Sequence, residues 1–452
     1  RRQRQMCIRD SLKGGNQLST FEVGDANAAA ADNISAAVDF DASAFEGNIF
    51  LEFAADIFTA TTDVDAGSLT TDTVRALFDT SATDIVLPLT GVETFIATLN
   101  SGDTAANEQY NFDVDTATGL KTLVVTSSDG ENTLLDVDDY VDTVTVQLGA
   151  SANTHGGTAV VAYEDSSEVD INLKSSAGTS DVVNLKLVDT DDSAGTIDVD
   201  ASGVETLNIE LSTDAQSHTL SLAGVAPTSG SNVAINVTKG VAGDGLVISD
   251  VHAKVNVIDA SALKGTLTLS DRGSSAMTIT GGSANDSLRM EHASDVIDGG
   301  AGTGDTLNVV KSAILGGISV DLTSTTDQIT TFNGSANSTI TKGFENVDLS
   351  GYTGSFGADI TGIKTGSTIT GTTNADVITL ESATTNVDDV IHFDSGKSAD
   401  QITNFTVGAS EDKIELDLSE LEAAANLFDN KTIDFVDIDD HNSVATTDNI
   451  VI

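Results

Sequence analysis

Short segments in which apolar residues alternate with threonine, serine or aspartate recur along the chain, as in GTLTLS (265–270), AMTIT (276–280), HTLSLAG (218–224) and DTVTVQLGA (142–150). A period of two sends one face of a strand into a core and leaves the other lined with hydroxyls. Such strands recur roughly every 8 to 12 residues between Gly, Asn, Asp and Ser turns, a spacing that belongs to all-β architectures. The pattern predicts an all-β strand-repeat protein. For residues 14–275 it suits a β-solenoid (β-helix) and a stack of β-sandwiches equally.

Composition narrows what can hold such a fold together. The 452 residues include 40 glycines, two prolines, one cysteine and no tryptophan, so neither disulfides nor thiol-bound metals contribute. The cysteine, Cys7, lies in RRQRQMCIRDSLK (1–13), which also holds five of the 20 basic residues. Its core, MCIRDS, resembles the translation of a sequencing adapter; residues 1–13 are read as an artefact or non-native arm, with the natural N-terminus outside the chain. Seventy acidic residues give a formal charge of −50, which argues against nucleic acid and anionic lipid as partners. Charge alone suits divalent-cation binding and a salt-tolerant surface equally. No stretch is long and apolar enough to span a bilayer.

Imperfect repeats point to stacked units. TGVETFIATL (90–99), SGVETLNIEL (202–211) and KGFENVDLSG (342–351) share Gly, an apolar residue, Glu and then a strand, and VDASGVETLNIELS (199–212) resembles IDASALKGTLTLS (258–270). Glu93, Glu205 and Glu345 are read as exposed turn glutamates, with ligation as the alternative. Helices are expected at TDTVRALFDT (71–80) and at SELEAAANLF (419–428), where Ser419 and Glu422 form a capping box. Boundaries fall near 150, 275 and 365: a β-rich domain (14–150), a strand-repeat domain (151–275), a roll with an adjoining repeat (276–365) and degenerate repeats with a C-terminal cap (366–452).

The chemistry concentrates in glycine-aspartate loops. In the nonapeptide G-G-x-G-x-D-x-U-x, with U a large aliphatic residue, the glycines turn the backbone tightly and U anchors a short strand; successive copies wind a parallel β-roll with calcium between stacked loops. GGSANDSLR (281–289) matches with Ala284 for the third glycine, MEHASDVID (290–298) keeps Asp295 and Ile297, and GGAGTGDTL (299–307) inserts one residue before Asp305. Two copies per turn place Asp286 and Asp305 on the same side of neighbouring turns and Asp295 on the other edge. Their carboxylates, with carbonyls of Gly282, Ala284, Gly300 and Gly302, are candidates for the six to eight oxygens calcium takes; a glycine-rich hairpin without an ion is the alternative. A weaker cluster has Gly371, Asn374 and Asp376 in GTTNADVIT (371–379), then Asp389 and Asp400 at irregular spacing.

These motifs resemble the repeats-in-toxin family of secreted proteins of Gram-negative bacteria. DQITNFTVGASEDKIELDLSEL (400–421) looks like the segment that closes the family's β-rolls, and the terminal DNIVI (448–452) is similar to its uncleaved type I secretion signal. Within the family, the GVETL and IDAS repeats and the Thr/Ser/Asp/Ala/Gly composition look most like surface-layer proteins. The resemblance implies an extracellular, cell-surface structural protein whose subunits calcium folds and joins into a lattice, with cell-surface polysaccharide as a further partner through sequence N-terminal to this chain. It covers about residues 195–452, and the few, degenerate nonapeptides leave the number of calcium sites open. An adhesin or fibre stalk is the alternative.

Catalysis finds little support. The six histidines are scattered without H-E-x-x-H, no G-x-S-x-G occurs, and no cysteine follows Cys7. A non-catalytic protein is expected, ahead of a polysaccharide-active enzyme that uses paired carboxylates. His292 is read as a solvated loop residue.

Overall fold

The structure, a computed structural model, describes residues 19–23, most of 39–150 and of 167–416, and 450–451. Residues 1–18, 24–38, 151–166, 417–449 and 452, with short turns between strands, lie outside the described residues. So do the basic arm and the expected helix at 419–428. Every regular element among the described residues is a strand. Hydrogen-bonded neighbours are mostly every second strand in chain order and pair in parallel. The chain therefore passes from one sheet to a second and back, one coil at a time, as a parallel β-solenoid rather than as stacked sandwiches. The residues fall into two compact units, 1–257 with 271–273, and 258–270 with 274–452. No described helix is long and apolar enough to cross a membrane.

In the first unit the strands Ile49–Phe53, Thr73–Phe78, Thr94–Leu99 and Thr122–Ser127 stack in parallel. Thr73–Phe78 replaces the helix expected over 71–80. Its residues TVRALF bury Val74, Ala76 and Phe78 alternately, and the parallel neighbours on both sides satisfy its backbone, so packing overrides the helical preference of Ala, Leu and Arg. The core of these coils is aromatic: the rings of Phe53 and Phe95 both lie 5.2 Å from that of Phe58, and Phe112 lies 6.4 Å from Phe95. Because Phe95 is fully buried, Phe95→Ala should lower unfolding stability by about 3–5 kcal/mol. A denaturant midpoint that shifts at constant slope checks this.

Outward faces carry polar rows instead. Asn184, Asn208 and Asn236 form an amide ladder with bonds of 2.8 and 3.0 Å, and Glu210 lies 3.5 Å from Lys186 and 2.9 Å from Lys239 on the flanking strands. Gly91 marks a point where coils approach closely. Its φ is +67° and a Cβ there would overlap the Gly67 carbonyl, so only glycine fits.

Coils in the second unit are short, with Met277 and Asp295 stacked 18 residues apart and Leu267 and Asp286 stacked 19 apart. Thr278 pairs with Val296 and Ser287 with Thr306, with aliphatic Ile279, Leu288, Met290, Ile297 and Leu307 filling the core. Residues 312–340 then interrupt the stack with the antiparallel strands Ile318–Asp321, Ile329–Phe332 and Ser335–Ala336, before Thr341–Lys342 rejoins it beside Ile297 and Asp298. The insertion is pinned by polar side chains turned inward: Tyr352 Oη donates to Gly316 O at 2.8 Å, and Gln328 Nε2 donates to Leu322 O and Phe344 O at 3.0 and 2.7 Å. Beyond it, Ile318–Asp321 pairs in parallel with Ala358–Thr361 and founds a sheet that continues through Val377–Thr379 and Gln401–Thr403. Thr306–Val309 is followed in the other sheet by Asn346–Asp348, Thr368–Thr370, Val390–Phe393 and Lys413–Leu416. Of the terminal DNIVI, Ile450–Val451 pairs antiparallel with Gln401 and Ile402.

Candidate cation site in the carboxylate ladders

Asp286 and Asp305 each directly precede a strand, Ser287–Met290 and Thr306–Val309, on adjacent coils. Their stacking is direct: the Asp286 N–H donates to Asp305 Oδ1 at 2.7 Å, and the Thr306 N–H donates back to Asp286 O at 2.8 Å. The nonapeptide register thus brings the two aspartates together as expected. Asp286 Oδ1 accepts the Leu267 N–H and Oδ2 the Gly282 N–H, both at 2.6 Å. Each aspartate therefore holds the start of the strand on the preceding coil, and Asp286 also closes its own loop.

Asp295 does the same on the other sheet. Its Oδ1 accepts the Met277 N–H at 3.0 Å, and its Oδ2 accepts those of Glu291 and His292 at 3.0 and 2.8 Å. The C-terminal cluster divides between both sheets. Asp376 accepts from Ala358 N–H at 2.7 Å and Thr372 N–H at 2.6 Å, and donates its own N–H to Asp400 Oδ1 at 2.8 Å. Asp389 accepts from Ser367 N–H at 2.6 Å and donates to Asp412 Oδ1 at 3.1 Å. Gly371 packs against Asp376 Oδ2, where a Cβ would overlap that oxygen. Asn374 does not join the carboxylates; its Nδ2 bonds Gly354 O at 3.0 Å.

The turn glutamates prove to be the same device. Glu93 and Glu205 are buried, 9% and 7% exposed, which corrects the exposed-turn reading. Glu93 Oε2 accepts the Asp72 N–H at 2.9 Å, Glu205 Oε2 the Asp181 N–H at 3.1 Å, and half-buried Glu345 Oε2 the Asp305 N–H at 2.9 Å. Asp72 in turn accepts the Ile49 N–H at 2.7 Å. An acidic residue before a strand, bonded to the residue stacked beneath it, is thus common to G-V-E-T and to the nonapeptide. Asp72, Asp181 and Asp412 were missed by the sequence reading, although each shares that position. As a check, Glu205→Ala should cost about 1–3 kcal/mol by orphaning a donor, whereas Glu205→Gln, which keeps an acceptor, should cost under about 1 kcal/mol by thermal unfolding.

Burial makes these ladders electrostatically costly. Coils repeat at the strand spacing of about 4.8 Å, so successive carboxylates repel and each has lost hydration. Asp305, fully buried, is pushed up to about 7, first by desolvation and further by the Asp286 and Glu345 carboxylates, against the N–H groups of Asp286 and Gly302. Burial likewise pushes Asp376 and Asp389 up to about 6, with smaller contributions from Asp400 and Asp412 respectively. Asp72, Asp286, Glu345 and Asp400 are raised for the same leading reason.

Asp305 differs from Asp286 in one atom. Its Oδ2 is buried and accepts no well-formed hydrogen bond, the Gly302 N–H acting only weakly on the carboxylate, a condition in which a carboxylate takes up a proton or a cation. A Cβ on Gly302 would overlap Asp305 Oδ1 and stand 2.6 Å from Ala284 O and 2.7 Å from Asp305 Oδ2, so the missing side chain leaves that carbonyl and both carboxylate oxygens converging on one point. Gly300, at φ +103°, is pressed against Gly282 O, which accepts the Ala301 N–H at 3.0 Å. The donor set around Asp305 is hard oxygen throughout, which suits calcium. Both Asp286 oxygens are already hydrogen-bonded. Among the described residues no three His, Cys, Asp or Glu side chains group as a metal site, so a cation at Asp305 would have to take most of its ligands from main-chain carbonyls. Comparison with protein-family models, curated proteins and solved structures finds no match in any of the three.

Proposed function

We propose that the chain is a secreted, non-catalytic structural protein whose β-roll is completed by calcium and which self-assembles into a bacterial surface layer. The observation that carries the reading is the buried Asp305 Oδ2, which accepts no well-formed hydrogen bond, in a stack of glycine-aspartate loops in nonapeptide register. Asp305 and the carbonyl of Ala284 would hold the ion, with those of Gly282, Gly300 and Gly302 beside them. Calcium would supply positive charge inside a ladder that otherwise concentrates negative charge. The ladder residues hold the coils in register; the cation offsets their repulsion.

The remaining acidic surface sets the conditions. A chain of formal charge −50 repels itself where divalent cations are scarce and is relieved where calcium sits near sub-millimolar to millimolar level, the range of extracellular sites with Kd about 10⁻⁴–10⁻³ M. Folding and lattice contacts through calcium-bridged acidic faces would then follow export by a type I pathway. Stacked parallel coils also suit a fibre stalk, and negative-stain electron microscopy of protein lacking residues 1–13 separates the two. Ordered two-dimensional sheets that form with calcium and dissolve in chelator support the surface layer. Single rods at every calcium concentration would move the assignment to an adhesin or fibre stalk.

A further inference from the structure

In the second unit a shallow groove of about 250 Å³ crosses the outward face of four adjacent strands. Strand pairing sets its chemistry. Thr268 pairs with Ser287, Ser287 with Thr306 and Thr306 with Asn346, so Ser270, Arg289, Asn308 and Asp348, each two residues further on, fall in one row, one per coil. A hydroxyl, a guanidinium, an amide and a carboxylate thus succeed each other along the coil axis at about 4.8 Å. Serines flank the row, and Gly351 keeps the groove open beside Val310, whose Cγ2 a Cβ would meet at 2.8 Å.

The row is fixed before any ligand arrives. Arg289 Nη1 donates to Ser270 O at 2.5 Å and its Nε to Glu291 Oε1 at 2.6 Å; Asn308 Nδ2 donates to Ser287 Oγ at 2.7 Å; Asp348 Oδ1 accepts the Ser350 N–H at 2.9 Å. Preorganised polar groups of this kind lose little entropy on binding. The lining contains no aromatic ring, which removes stacking of nucleobases or flat apolar ligands. Asp348, and Glu291 paired to the only cation of the row, disfavour a polyanion. A ligand that both donates and accepts at each step, is uncharged, and advances by roughly one strand spacing per unit meets these conditions. We propose that this groove binds a neutral saccharide chain lying along the coil axis, with one or two of its rings seated against the row. The volume lies just below the range of about 300–1,000 Å³ for drug-sized ligands, which suits a segment of one or two rings.

The proposal is independent of the calcium reading and is tested by isothermal titration of the full chain with maltohexaose, cellohexaose and hexagalacturonate, each with calcium and with chelator. Binding of at least one neutral hexamer is expected in the condition where circular dichroism shows the chain folded. Ser287→Val with Asn308→Leu, which fills the groove, should weaken that binding at least tenfold, and Ser249→Val, on an outward face of the first unit, should leave it unchanged. Unfolding midpoints of both variants establish that they fold. Three outcomes overturn the proposal: no heat from either neutral hexamer at millimolar concentration, binding of hexagalacturonate alone, or undiminished binding to the folded groove-filled variant.

Discussion

In chelator, acidification from about pH 8 to about pH 5 is expected to stabilise the fold, the reverse of ordinary acid denaturation. The sign follows from the direction of the shifts. A carboxyl whose folded value lies above its unfolded value binds its proton more tightly when folded, so its contribution is full below the unfolded value and is lost as pH rises through the folded one. For Asp305 the window runs from 3.8 to about 7, and for Asp376 and Asp389 from 3.8 to about 6. Relief of repulsion among the surface carboxylates acts in the same direction. Glu210 opposes it, because Lys239 and Lys186 hold its carboxyl below the usual range, but that pair is exposed and weak. Asp305 alone accounts for an upper limit on the order of 4 kcal/mol across its window. Asp305→Asn, which mimics the protonated acid, should raise stability at pH 8 and flatten the profile. Urea midpoints across the pH series decide; stability that falls steadily on acidification in both proteins would exclude the buried-acid account.

Asp286→Ala should be the more damaging of the ladder substitutions. Both its oxygens accept main-chain N–H groups, from Leu267 and Gly282, and the residue is 1% exposed. Truncation leaves two buried donors without acceptors at about 1–3 kcal/mol each, for a loss of roughly 2–5 kcal/mol. That loss outweighs the relief of one buried charge, because the wild-type carboxylate is fully hydrogen-bonded whereas the orphaned donors find no substitute. Asp286→Asn retains one acceptor and should lose about half as much. Chemical denaturation at neutral pH in chelator measures both, and a loss under about 0.5 kcal/mol for Asp286→Ala would show that the ladder contributes little to holding the coils.

How much of this was legible in the sequence follows from the range over which each feature is encoded. Period-two alternation is local, so all-β structure could be read directly. The Asp286 and Asp305 stacking was legible because the nonapeptide states its own coil length. Coil lengths elsewhere are hidden in variable turns: Glu205 meets Asp181 from 24 residues away, and Glu345 meets Asp305 from 40. Nothing near Glu93 or Glu205 says that a glutamate after Gly-Val is covered by the neighbouring coil, so both looked like exposed turns. The segment at 71–80 misled for a related reason, since Ala, Leu and Arg favour a helix locally and only the strands stacked on each side impose extension. The insertion at 312–340 carries no motif that announces where one sheet ends and another begins.

Central to the proposed calcium site is Asp305, a buried acid that a cation would neutralise. The direct measurement is the unfolding midpoint of protein lacking residues 1–13, followed by circular dichroism through a calcium titration from chelator, with magnesium as control. Calcium should raise the midpoint by a free energy that reaches about 2.7 kcal/mol at a hundredfold excess over Kd, magnesium should not, and Asp286→Ala with Asp305→Ala should need more calcium to fold. A midpoint that calcium leaves where it stood in chelator would contradict it.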